Sequence, residues 1–126
     1  MAKSVHDDVL DGAHNIVKNN CTRQVVCSAE PTTYTEANAT YALADVTMSS
    51  ADFTNANGDT SGRKCTVAAK SAVLIDTSGT ATHVALLDVT NSKLLRVTTC
   101  TSQALTANGS NTVSIPAWKF EIADPT

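Results

Sequence analysis

The chain has 126 residues, a net charge of −3 and aromatics at only 4%, a length that makes one domain with a single core. The mildly negative balance supplies no basic face for nucleic acid, and no run approaches the roughly 18 consecutive apolar residues that a membrane span requires. The core is therefore expected to be built of Val, Leu, Ile and Ala, with Trp118, Phe53, Phe120, Tyr34 and Tyr41 as its few large fillers.

The opening residues Met-Ala-Lys-Ser-Val-His-Asp-Asp lack the apolar stretch of a secretory signal. The expectation is a chain made and folded in a cytoplasm, where thiols stay reduced. Ser4 to Lys18 is the one clear helix. Ser4 can cap the first turn, Asp7 stands three residues on, and Asp7 with Asp8 places negative charge at the positive end of the helix dipole. At about 100° per residue, Val5, Val9, Leu10, Ala13, Ile16 and Val17 share one arc, with Asp7, Asp8, Asp11 and Asn15 mostly off it. That arc either packs on the protein's own sheet or docks on a neighbouring subunit. Gly12 lowers helix propensity by about 1 kcal/mol relative to Ala, which suggests a close backbone approach.

The rest of the chain reads as strands. Thr22 to Ser28, around Val25-Val26-Cys27, is the first. Pro31 interrupts, and Thr32 to Ala44 reads as an extended edge segment. Val46 to Phe53 alternates weakly, Asn55 to Gly62 is the longest polar loop, and Arg63 to Lys70 alternates with Cys65, Val67 and Ala69 on one face. Ser71 to Ile75 adds a strand, and Asp76 to Gly79 turns the chain. From Gly79 onward, runs rich in Val, Leu, Ile and Thr are separated by Thr90-Asn91-Ser92 and by Thr106 to Asn111, the pattern of an antiparallel meander of at least three strands. In the last run Val113 and Ile115 share one parity while Trp118, Phe120 and Ile122 share the other, so a bulge is expected at Pro116. The sum is a mainly β domain over residues 1–126. It combines an antiparallel sandwich or partly closed barrel of about seven or eight strands (22–122) with one N-terminal amphipathic helix (4–18).

Groups that carry chemistry are sparse. Asn55-Ala-Asn57-Gly-Asp59 has oxygen ligands near the start of a calcium-loop pattern, but lacks its first Asp and its bidentate Glu, and reads as a turn cluster. His6 and His14 are eight residues apart, too far for a helical metal pair, and His83 sits mid-strand as a partly buried structural residue. There is no Gly-x-Ser-x-Gly elbow, P-loop or dinucleotide fingerprint. No catalytic residue, cofactor or metal is expected, and the protein is expected not to be an enzyme. Asn20-Cys-Thr, Asn38-Ala-Thr and Asn108-Gly-Ser fit the glycosylation pattern but carry no weight without a signal. Cys21, Cys27, Cys65 and Cys100 match no zinc spacing. They are either small core side chains or thiols that pair within or between chains outside the reducing cell, Cys21 being placed best for an external bond. Trp118 is expected to be buried.

Several stretches together resemble small virion proteins of tailed bacteriophages. They are Gly-Asp-Thr-Ser-Gly-Arg-Lys from Gly58, Gly-Thr-Ala-Thr-His-Val-Ala-Leu from Gly79, Leu94-Leu95, Gln103-Ala-Leu-Thr, Asn111-Thr-Val-Ser-Ile-Pro, Trp118-Lys-Phe-Glu-Ile, and the opening Ser4-Val-His-Asp-Asp-Val-Leu-Asp. The likeness covers nearly the whole chain. It implies a β-sandwich located in the virion, with the major capsid protein, other virion proteins and its own copies as partners. Within that class it suggests a capsid decoration or linking protein. A neck, collar or tail-fibre component is the alternative, and a glycan-binding or other ligand-binding module belongs to a different class.

Overall fold

The computed structural model describes residues 3–125. Helix α1 (Asp7–Asn20) leads into β1 (Arg23–Cys27), a π-helical turn (Glu36–Thr40), β2 (Ala42–Thr47), a 3-10 turn (Ser50–Asp52), β3 (Phe53–Asn57) and β4 (Arg63–Val67). There follow β5 (Lys70–Leu74), β6 (Gly79–Asp88), β7 (Lys93–Leu105), β8 (Thr112–Ile115) and β9 (Trp118–Ile122). The protein is mainly β, antiparallel, with one N-terminal helix, and its sheets do not close into a barrel.

A four-stranded sheet in the order β2-β1-β6-β7 is the centre of the molecule. Its strand β1 is buried on both faces, which is why Val25-Val26-Cys27 reads as a continuous apolar run rather than an alternation. One face meets two smaller sheets. The three-stranded sheet β3-β4-β9 packs against it through Phe53, Cys65, Val67 and Phe120, which meet Leu86, Met48, Cys21 and the helix residue Val17. The two-stranded sheet β5-β8 brings Val73 and Ile115 onto Val26, Ala81 and Leu105. The other face, with Val25, Cys27, Ala85 and Leu87, lies under the π-helical turn, where Ala37 is fully buried beside Tyr34 and Tyr41.

Several expectations are corrected. The helix begins at Asp7, not Ser4, and its cap is His6, whose Nδ1 accepts the Asp8 amide at 3.1 Å. A Cβ on Gly12 would meet nothing within 4 Å, so no close approach occurs there. Of Thr32 to Ala44, only Ala42 to Ala44 is an extended edge, as the start of the edge strand β2. Glu36 Oε1 accepts from the Thr32 amide and hydroxyl at 2.9 and 2.7 Å, which fixes a helical turn before β2 starts. Asn55 to Gly62 is loop only after Asn57, and Ala69 is exposed beyond the end of β4.

The meander is a hairpin, β6 with β7, turned at Ser92 with φ 54° and held by Asp88, whose carboxylate accepts from the Asn91 amide and side chain. The next run leaves that sheet, since β8 pairs with β5 and β9 with β4. The parity change at Pro116 is thus a switch between sheets and not a bulge. Ile115 and Phe120 still both point into the core, each on its own sheet.

Candidate functional site

The helix is fastened by groups distant in sequence. Arg63, at the start of β4, donates through its Nε and a terminal nitrogen to the two Asp11 carboxylate oxygens at 2.9 and 3.1 Å. This fork holds the Asp11 carboxyl below the ordinary carboxylate range. The Arg63 carbonyl accepts from His14 Nε2 at 3.1 Å, and the His14 ring stands edge-on to Phe120 with centroids 5.2 Å apart. Asn55 Nδ2 donates to Asn15 Oδ1 at 2.8 Å.

These attachments divide the apolar arc in two. Leu10 and Val17 are buried with His14 between them, whereas Val9 and Ile16 are 66% and 58% exposed and Ala13 lies on the surface beside them. Val5, before the helix, is half-buried. The first use expected for the arc, packing on the protein's own sheet, is thus met by only part of it. Leu10 and Val17 belong to the protein's own core, while Val9, Ala13 and Ile16 form an apolar stripe facing outward. The burial of His14 was not foreseen, because a wheel of apolar residues leaves histidine off the packed face.

All four cysteines are free. Cys21, expected to be placed best for an external bond, is only 2% exposed, because the chain turns there from helix into sheet and carries its side chain under the core beside Phe53. Cys27 and Cys65 are fully buried, and Cys100 on β7 is the half-buried exception. Burial pushes the Cys21 and Cys27 thiols up to about 11 and raises Cys65 and Cys100 as well. A thiol whose pKa is raised on folding favours the native state below its unfolded pKa, and that contribution is lost as pH rises through the folded value. Stability is thus expected to decline between about pH 9 and 11. In native protein near pH 8, a thiol reagent should modify Cys100 alone and reach the other three only with unfolding. Counting modified thiols by mass spectrometry with and without urea checks this.

The remaining candidates are occupied by structure. Asp59 in the polar loop accepts from Lys64 Nζ at 2.7 Å and pairs with Lys119, so its carboxylate faces ammonium groups. His83 Nδ1 shares a 2.8 Å hydrogen bond with the Thr82 hydroxyl. Trp118 is half-buried, not fully, and its indole N–H donates to Oε1 of Gln24 at 2.8 Å. Gln24 is itself wholly buried, a polar core residue that no local pattern marked. Among the described residues no three His, Cys, Asp or Glu side chains gather in a way that would hold a metal, and no helix is long and apolar enough to cross a membrane. Compared with known proteins, the chain matches no family model, no curated protein and no solved structure.

Proposed function

We propose that this chain is a structural protein of a tailed-bacteriophage particle, and within it a capsid decoration or linking protein that binds the major capsid protein. The observation that carries the reading is the divided helix: one side is clamped to the fold by Leu10, His14, Val17 and the Asp11–Arg63 fork, while Val9, Ala13 and Ile16 face solvent. A rigid helix with an outward apolar stripe suits docking on a fixed neighbour, because little ordering entropy remains to be lost. On a symmetric shell many weak copies add by multivalency. The raised pKa values of the thiols and the resemblance in the strand-and-turn motifs agree with a non-enzymatic role.

The test is the composition of purified particles. Quantitative mass spectrometry should find the chain at hundreds of copies per particle, and Val9→Asp with Ile16→Asp should reduce incorporation at least tenfold. Both sites are exposed, so that pair should alter stability by no more than about 0.5 kcal/mol per site. Copy numbers of three, six or twelve would move the protein to neck, collar or tail. Absence of the wild-type chain from particles would overturn the virion reading.

A further inference from the structure

The chain contains Asn-Gly twice, at Asn57-Gly58 and at Asn108-Gly109. The pair is chemically distinctive because glycine has no Cβ to obstruct its own amide nitrogen, which can reach the amide carbon of the preceding asparagine side chain. In an unfolded chain the two pairs would react alike. The fold treats them differently.

Asn57 ends β3 opposite Arg63, and its Oδ1 accepts from a terminal nitrogen of that arginine at 2.8 Å. The Gly58 amide donates to the Gly62 carbonyl at 2.9 Å, so the nitrogen that would attack Asn57 is committed elsewhere. A Cβ on Gly58 would stand 2.0 Å from the Ser61 carbonyl oxygen, so the turn is closed tightly around it. Reaction at Asn57 must wait for the β3-β4 hairpin to open locally.

Asn108 lies in the exposed loop between β7 and β8. Its Oδ1 accepts from the Ser110 amide at 2.9 Å, the Ser110 hydroxyl at 3.2 Å and the Asn111 amide at 2.7 Å. These bonds fold the side chain forward over the peptide that follows it, where the Gly109 nitrogen lies. Among the described residues the Gly109 amide donates to no acceptor, and nothing lies within 4 Å of the place a Cβ would occupy. The three donors also face the oxygen on which negative charge develops when the side-chain carbon is attacked, an arrangement that lowers such a barrier.

We propose that Asn108 is a site of spontaneous deamidation in the folded protein and that Asn57 is shielded from it. The Gly109 nitrogen loses its proton to hydroxide and bonds to Asn108 Cγ, the Cγ–Nδ2 bond breaks, and ammonia leaves a five-membered imide. Water then opens the ring at either carbonyl, so one amide and one water become one carboxylic acid and one ammonia. Opening at Cγ gives aspartate, whose carboxylate still accepts from the same donors. Opening at the main-chain carbonyl gives isoaspartate, which lengthens the backbone by one methylene. That extension falls in the loop whose Asn111 carbonyl takes the Ile75 amide at 3.0 Å. Either product adds a negative charge to the net −3 of the chain. The inference does not depend on the virion reading.

The experiment holds the purified chain in mildly alkaline buffer at physiological temperature, native and in urea, and samples it over weeks. Peptide mapping with fragmentation follows the mass gain of about 1 Da at each asparagine, and a methyltransferase specific for isoaspartate counts the lengthened product. In the native protein Asn108 should be modified faster than Asn57 by about tenfold or more, and in urea the two rates should converge. The native rate at Asn108 should rise with pH, and Gly109→Ala should slow it about tenfold without changing Asn57, because the added Cβ crowds the attacking nitrogen. Equal native rates, or protection of Asn108 in native protein while it reacts in urea, overturns the proposal. So does a gap that survives in urea, which would place the cause in neighbouring sequence and not in the fold, or an Asn108 rate that Gly109→Ala leaves unchanged.

Discussion

Phe53→Ala is expected to destabilise the protein by about 3–5 kcal/mol. Phe53 is 2% exposed and opens β3 opposite Val67. It lies in the cluster where the helix, through Val17, meets the central sheet, through Leu86, and the three-stranded sheet, through Cys65 and Phe120. Two Phe and one Trp are all the chain contains of those residues, and Phe120 and Trp118 are already packed in or against this cluster along with Leu86 and Met48, while Val17, Cys21, Cys65 and Val67 are too short to fill the space. The cavity should persist rather than collapse. Domains of this kind are stable by about 5–15 kcal/mol in all, so the loss takes a large part of the total. With a urea slope of about 1–3 kcal/mol/M, the midpoint followed by circular dichroism should fall by more than about 1 M. Val9→Ala, on the exposed stripe, should shift it hardly at all. A loss at Phe53 of less than about 1 kcal/mol would mean that the three layers do not meet there.

The elements legible in the sequence are those whose signals are local. The β6-β7 hairpin is announced by two Val, Leu and Thr runs around Thr90-Asn91-Ser92, and the turn residues meet that demand with their own side chains and with positive φ at Ser92. The partners of β8 and β9 were not legible, because parity shows which side chains face a core but not which edge the strand joins. Ile115 and Phe120 satisfy that rule on two different sheets. The same limit governs the helix. The wheel identified the apolar arc, but which half turns inward is decided by Asp11 with Arg63 and Asn15 with Asn55, pairs separated by 52 and 40 residues. Buried polar residues are hidden for a related reason. Gln24 can be in the core only because Trp118, 94 residues on, donates to it.

Gly62→Ala is expected to destabilise the fold by about 3 kcal/mol or more, from two separable causes. Gly62 has φ +69°, a conformation that costs an L-residue roughly 1–2 kcal/mol. A Cβ there would also stand 1.9 Å from the carbonyl oxygen of Ile122 and 2.8 Å from Ala123 Cα. Those atoms are backbone at the end of β9 and cannot rotate away, so β4 and β9 would have to part at that end. The disturbance should spread, because the next residue is Arg63, whose side chain holds Asp11 and whose carbonyl takes the His14 hydrogen bond. Amide exchange should therefore quicken in the helix as well as in β9. Gly109 isolates the first cause. Its φ is +86°, yet a Cβ there meets nothing within 4 Å, so Gly109→Ala should lose only the conformational part, about 1–2 kcal/mol, and leave helix exchange unchanged. The difference in urea midpoint between the two variants measures the contact alone. If Gly62→Ala proves no more costly than Gly109→Ala, the close passage of the polar loop under Ile122 is wrong, and with it the route by which β4 anchors the helix.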